Sequence, residues 1–404
     1  MRMNLEFYNC PPPEQLEIKI LPKDRPEFLG YRPDFGAMEA VVEKYKKYKN
    51  ILVIGHGGSV SSFYGFYNAL HNQSETTNAS EPTNVKQTKK AYFLSSVDPD
   101  YIAALKNNLS LEDTLVVAIS KSGNTVTQLE ALSQFLSYTL LVISEQDTPL
   151  YKIAEKVGAE IVLHPSIGGR YTAFTEIALL PALLCELDAQ SLYRGALEMY
   201  VLYEKDNIAF RLASVCLALE QQGFVDVLGL VYSHYLYFFA PLITQLCHES
   251  FGKDGKGQTY LFAEGSEVQH HTVQRFLGGR KNMAGLFIGL DGYLNSSTTN
   301  YSPSTHSVVV RGQALFDINK IPLADAQSFE LQGTLESARL KNLPVMHMGI
   351  NSVNPLEVGR FVAFWQLFAV YSSLLRSVDP FDQPEVEAGK QISFDKRLAY
   401  KGLL

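Results

Sequence analysis

Short runs of Val, Ile and Leu alternate along this chain with longer stretches whose apolar residues return at helical spacing. ILVIG (51–55), AYFLS (91–95), TLVVAIS (114–120), LLVIS (140–144) and AEIVLH (159–164) predict strands. SSFYGFYNALHN, DYIAALKNNL, TVTQLEALSQFL and PLYKIAEKVG lie between them and predict helices. The strand runs are continuous rather than alternating, so both faces are buried, and strict strand–helix alternation builds crossover units on a parallel sheet.

A helical stretch, YTAFTEIALLPALLCELDAQSLYRGALEMYVLYEK, separates this region from a second one. There FVDVLGLVYS (224–233), TYLFA (259–263), AGLFIGL (284–290), SVVVR (307–311) and LPVMHMGI (343–350) predict strands, and PLEVGRFVAFWQLFAVYSSLL (355–375) a long apolar helix. A chain of 404 residues exceeds one ordinary core. We therefore expect an α/β protein of two units, residues 1–200 and 201–404. The polar, turn-rich segment SETTNASEPTNVKQTKK (74–90) is too short to link domains and is expected to be a surface loop.

Composition narrows the functional classes. The chain is 46% apolar and 19% charged, as globular proteins are. Its net charge of −7 offers no basic face for nucleic acid, so an anionic ligand would need a local cationic pocket. Cys10, Cys185, Cys216 and Cys247 are widely spaced and contain no CxxC pair, which argues against a zinc knuckle or a disulfide framework. The N-terminal MRMNLEFYNCPPPEQ lacks an apolar signal-type core, and GLVYSHYLYFFAPLITQL is interrupted by His234 and Pro241. No membrane association is expected. A cytoplasmic location is.

Three turns carry candidate chemistry. GHGGSVSS (55–62) follows a predicted strand and opens a helix, so Gly58 and Ser59 would present backbone N–H groups to an anion. Its spacing is not GxGxxG, which ranks a dinucleotide low. ISKSGNT (119–125) places Ser120, Lys121, Ser122 and Thr125 where open α/β sheets bind ligands, at the C-terminal end of a strand and the start of a helix. SIGGRYT (166–172) holds Arg170 close to the backbone, where it would either face an oxyanion or cap a helix and pair with Glu176.

The paired GGS and SKSGNT turns resemble those of the sugar isomerase domain family. SIGGRYT resembles the first signature, and FDQPEVEAGK (381–390) the second signature, of the glucose-6-phosphate isomerase family. The resemblance covers most of the chain and implies two sugar isomerase-type three-layer α/β/α domains with mainly parallel sheets. It implies reversible aldose–ketose isomerisation of glucose 6-phosphate and fructose 6-phosphate, through ring opening and a cis-enediol.

Residue by residue, QLCHESFGK matches the family segment that supplies the base, which places Gln245 and Glu249 in the substrate-binding and catalytic positions. VQHHTVQRFLGG offers His270 for ring opening, with His271 as its neighbour. Lys390 falls on the catalytic lysine of the second signature and Arg170 on the enediolate-facing arginine. In the absence of the resemblance, Glu249 would read as a solvated helix end, the histidine pair as a polar helix start and Lys390 as a surface residue.

The family chemistry needs no metal or other cofactor. The resemblance also implies a homodimer in which the histidine serves the neighbouring subunit's site. Two other functions fit the same loops: a dual-specificity phosphoglucose/phosphomannose isomerase, since SGNT-type loops occur in such members, and a non-catalytic phosphosugar-binding regulator.

Overall fold

The computed structural model describes residues 3–12, 25–77, 89–205, 207–295 and 297–403, with the backbone alone for 72–77. The first sheet contains β2 (Asn50–Ile54), β3 (Lys90–Leu94), β4 (Thr114–Ser120), β5 (Thr139–Ser144) and β6 (Glu160–Leu163). They are parallel in the order β3-β2-β4-β5-β6. Helices α1 (Phe35–Tyr45), α2 (Gly58–Thr77), α3 (Pro99–Asn108), α4 (Val126–Ser133) and α5 (Pro149–Val157) accompany it. The wholly buried TLVVAIS of β4 explains why its sequence does not alternate.

The helical bridge expected after this sheet is present as α6 (Glu176–Leu184) and α7 (Ala189–Tyr200), followed by α8 (Ile208–Gln221). The second sheet has the order β1-β12-β9-β7-β8. It is built from β7 (Asp226–Val231), β8 (Thr259–Glu264), β9 (Met283–Leu290) and β12 (Val345–Ile350), all parallel. Its antiparallel edge is β1 (Asn4–Tyr8), paired with β12. This N-terminal strand crosses the division at residue 200 expected from the sequence, because its partner comes from the other end of the chain. The remaining helices are α9 (His234–Tyr237), α10 (Ala240–Phe251), α11 (Gly265–Val268), α12 (Thr272–Gly278), α13 (Leu323–Leu340), α14 (Pro355–Arg376) and α15 (Glu387–Tyr400).

SVVVR does not join the second sheet. Only Val309–Val310 (β10) is extended, and it pairs with Gln313–Ala314 (β11) in a small exposed hairpin. Three β-branched residues give the right local propensity, but no sheet edge lies beside them. The expected loop at 74–90 begins inside α2, which runs to Thr77; residues 78–88 lie outside the described part.

The helix α14 is apolar on every face because it is packed on every face. It alone among the described helices has the length and composition to cross a membrane, and most of it is buried in the core. Asn354 caps its start by accepting the Glu357 N–H at 3.0 Å, and Ser377 ends it in the left-handed region at φ 55°. Against α7 the backbones nearly touch: a Cβ on Gly195 would sit 2.1 Å from the Leu356 carbonyl oxygen, and one on Gly359 2.0 Å from that of Leu192. One apolar cluster therefore continues from the first sheet through α7 and α14 to the second.

Candidate active site

β2 and β4 are neighbours, yet the chain leaves β2 for β3 on one side and returns to β4 on the other. Their C-terminal ends form the switch point at which open parallel sheets bind ligands. The helices α2 and α4 both begin there, so the positive ends of two helix dipoles come together, although at α2 the Ser59, Val60 and Ser61 N–H groups already bond the His56 and Gly57 carbonyls. Gln128 fastens the two strand ends together by donating to the Ile54 carbonyl at 3.0 Å and the Ile119 carbonyl at 2.8 Å. His56, in the first turn, meets the Thr127 hydroxyl at 3.3 Å through Nε2; burial holds its pKa below the ordinary histidine value.

The SKSGNT turn is internally ordered. Buried Ser120 accepts the Gly123 N–H at 3.1 Å, and the Ser122 hydroxyl donates to Asn124 Oδ1 at 2.8 Å. Thr125 is the N-cap residue of α4, and its hydroxyl makes no capping bond. Lys121 reaches away from this turn to the Ser166 carbonyl at 2.9 Å, with Glu145 at 3.8 Å. It thereby ties the second turn to the third, the one that carries Arg170. Beside it His164 is buried, with Nδ1 2.6 Å from the Pro165 carbonyl and Nε2 without a hydrogen-bond partner among the described residues. Burial first, and the Lys121 charge second, lower its pKa to about 4, against the opposing Pro165 carbonyl.

Gly58 brings the first and third turns together. A Cβ there would lie 2.1 Å from both the carbonyl carbon and oxygen of Gly169, so only glycine lets α2 start against the segment Gly169–Phe174. Arg170 projects from that segment with its side chain 3% exposed, and its Nε lies 3.0 Å from Glu249 Oε2. Gln245, one turn earlier on α10, donates to the same oxygen at 3.2 Å, while its own carbonyl oxygen accepts from Ser61 at 3.0 Å. Arg170, Glu249, Gln245 and the start of α2 thus form one connected group. The other reading of Arg170, a pair with Glu176, does not occur: Glu176 accepts instead from the Tyr31 hydroxyl at 2.6 Å and the Asp34 N–H at 3.2 Å.

Gln383 joins the group unanticipated. It accepts from Arg170 Nη2, which also donates to the Asp382 carbonyl at 3.1 Å, while Nη1 reaches the Pro380 carbonyl at 3.3 Å. Its signal in the sequence is the FDQ triplet that opens the same segment as Lys390.

His270 and Lys390 are not drawn into this group. His270 is exposed in the turn between α11 and α12, and no side-chain hydrogen bond to it occurs among the described residues. His271 is engaged locally, with Glu267 at 3.1 Å and Thr272 at 2.7 Å. Lys390 is exposed on α15 and pairs with Glu387 at 2.6 Å. Among the described residues no group of three or more His, Cys, Asp or Glu is placed to hold a metal ion.

Two sheets of mainly parallel strands, the first with a switch point where α2 and α4 begin, and a carboxylate held by arginine beside the start of α2, make an α/β protein whose crevice suits an anionic ligand. The fold is that of a hypothetical protein from Thermus thermophilus, with a TM-score of 0.78 at 24% identity over 92% of this chain and 93% of the other. A glucose-6-phosphate isomerase from Chlamydia trachomatis shares it at TM-score 0.73 and 18% identity, over 90% of this chain and 73% of the other. In sequence, a probable glucose-6-phosphate isomerase of Methanococcus maripaludis is 26% identical over 87% of this chain and 80% of its own length. A glucose-6-phosphate isomerase of Carboxydothermus hydrogenoformans is 26% identical over 87% and 79%. The sequence model described as Phosphoglucose isomerase matches residues 35–280, more than half of the chain. The chain belongs to the phosphoglucose isomerase family.

Proposed function

We propose that this isomerase interconverts glucose 6-phosphate and fructose 6-phosphate, with Glu249 as the base that carries the proton between C2 and C1. The supporting observation is the Arg170 Nε–Glu249 Oε2 contact of 3.0 Å, made beside the start of α2. An ionised carboxylate takes the C2 proton of the open-chain aldose, which leaves a cis-enediolate charged at O1; a proton passes from the C2 hydroxyl to O1, and the carboxyl returns its own proton to C1 to give the ketose. As the carboxylate is neutralised, negative charge moves onto the enediol oxygens. The guanidinium of Arg170 stands beside both positions and favours the transfer. Gln245 holds the carboxylate in one orientation.

The phosphate is bound where α2 and α4 begin, by Gly58, Ser59, Ser120, Ser122 and Thr125, with Lys121 linking that site to the Arg170 turn. Binding there, remote from the reacting carbons, holds C1 and C2 against Glu249. His270 and Lys390 open the sugar ring, moving protons at the ring oxygen and the anomeric hydroxyl.

The exposure of His270 favours a homodimer in which this histidine completes the neighbouring subunit's site. The protein acts in the cytoplasm on a phosphorylated hexose.

Mixed dimers test the shared site. Glu249→Gln and His270→Ala chains, each inactive alone, regain isomerase activity when mixed, because one of the two sites in a mixed dimer receives both intact groups. Mixed dimers that are shown to form and yet stay inactive would overturn the shared site.

A further inference from the structure

Beyond α14 the chain turns through Ser377 and lies as a strap, residues 379–383, across the Arg170 side chain. Residues 381–383 are exposed, and their apolar support is slight: Phe381 packs edge-on to Tyr171 at 5.3 Å. The Tyr171 hydroxyl adds one bond, to the Pro380 carbonyl at 3.3 Å. Polar contacts hold the rest.

Lys253, one turn beyond Glu249 and just past the end of α10, supplies three of them, as many as Arg170 does. Its ammonium donates to the Asp379 carbonyl at 2.6 Å, the Asp382 carbonyl at 2.7 Å and Asp382 Oδ1 at 2.5 Å. An ammonium has three N–H donors, so each one is engaged, and the side chain is only 8% exposed. The Asp382 carbonyl accepts from both Lys253 and Arg170, and the next residue, Gln383, bonds the same Arg170 nitrogen. Without Lys253, Arg170 would become the strap's main anchor and would move with it.

We propose that Lys253 is a positioning residue for isomerisation, stapling the strap to the helix of Glu249 so that Arg170 stays fixed against the carboxylate. The inference rests on the role of Glu249 proposed above. A displacement of about 1 Å at such a site costs up to about 10²-fold in rate.

The test uses the full-length protein with Lys253→Met and Lys253→Arg. Lys253→Met is expected to lower kcat by tenfold or more, on the scale such misplacements show, with KM for fructose 6-phosphate changed less than about threefold. Lys253→Arg, which keeps the charge and donors, recovers most of kcat. Hydrogen exchange of residues 379–383 accelerates in Lys253→Met while that of α10 does not.

An unchanged kcat in Lys253→Met, or a lowered kcat with unchanged strap exchange, overturns the proposal. Should Lys253→Met fail to fold, Asp382→Ala removes one of the three acceptors: a smaller loss of kcat at constant KM supports the proposal and no loss overturns it. Glu249→Gln protein that kept wild-type isomerase activity would instead overturn the role of Glu249, and the strap's exchange rates would still report on the staple.

Discussion

Arg170 and Lys390 are both cations of signature segments, and the fold treats them in opposite ways. Arg170 has a side chain 3% exposed and spends its donors on Glu249, Gln383 and two carbonyls of the strap. Lys390 is 61% exposed and, among the described residues, meets only Glu387, on its own helix. A buried charge is tolerated only when its bonds are satisfied, so the interior cluster is rigid and its parts stand or fall together. An exposed lysine, by contrast, is weakly held by its ion pair and free to reach elsewhere. On the proposed mechanism, the carboxylate–arginine pair sits in the interior and the groups proposed to open the ring sit outside it.

The contrast sharpens most at Glu249. Glu249→Gln is expected to slow exchange of the C2 proton with solvent by roughly 10²–10⁴-fold, the range for loss of a general base, while the phosphosugar still binds. Substantial residual exchange would shift the base to Glu264 or Glu267. At the periphery, Lys390→Met should lower ring-opening turnover by about 10²-fold, with unfolding free energy within about 0.5 kcal/mol of wild type. A large stability loss there would break the comparison, since it would make Lys390 part of the packed structure.

His164 offers a pH test of the interior. Its folded pKa of about 4 lies below the ordinary value of about 6.5, so between these values the unfolded chain binds the extra proton. The stability it contributes is fully present above about pH 6.5, declines as the pH falls and is gone below about pH 4, a span of up to about 3 kcal/mol. His164→Gln should flatten that part of the stability–pH curve in denaturant titrations. A curve of unchanged slope would mean that the histidine is not buried as a neutral ring.

The smallest change is a single methyl group. Gly58→Ala forces the start of α2 away from Gly169 and should cost about 1–3 kcal/mol by overpacking. It should also lower kcat, because Arg170 is the next residue. A fully active, equally stable Gly58→Ala enzyme would show that the contact between the two turns is not needed.

The parallel strands were legible because residues buried on both faces leave continuous apolar runs, and their predicted edges differ from the observed ones by a residue or two. Gln245 and Glu249 were reached only through the family resemblance of QLCHESFGK, whereas the glycine turns at 55–62 and 119–125 were legible because strand–turn–helix order is a local property. Pairing between distant segments was not. β1 joins β12 from the opposite end of the chain, SVVVR finds no sheet edge, and Gln383 meets Arg170 through a strap that no spacing rule connects to it.

By itself, then, the sequence determined the elements, their α/β class and the chemical types at the turns, since these depend on residues near one another in the chain. Tertiary structure decided which of those residues meet. It buried one signature cation against a carboxylate and left the other in solvent, because the desolvation of a charge depends on partners that arrive from elsewhere in the fold.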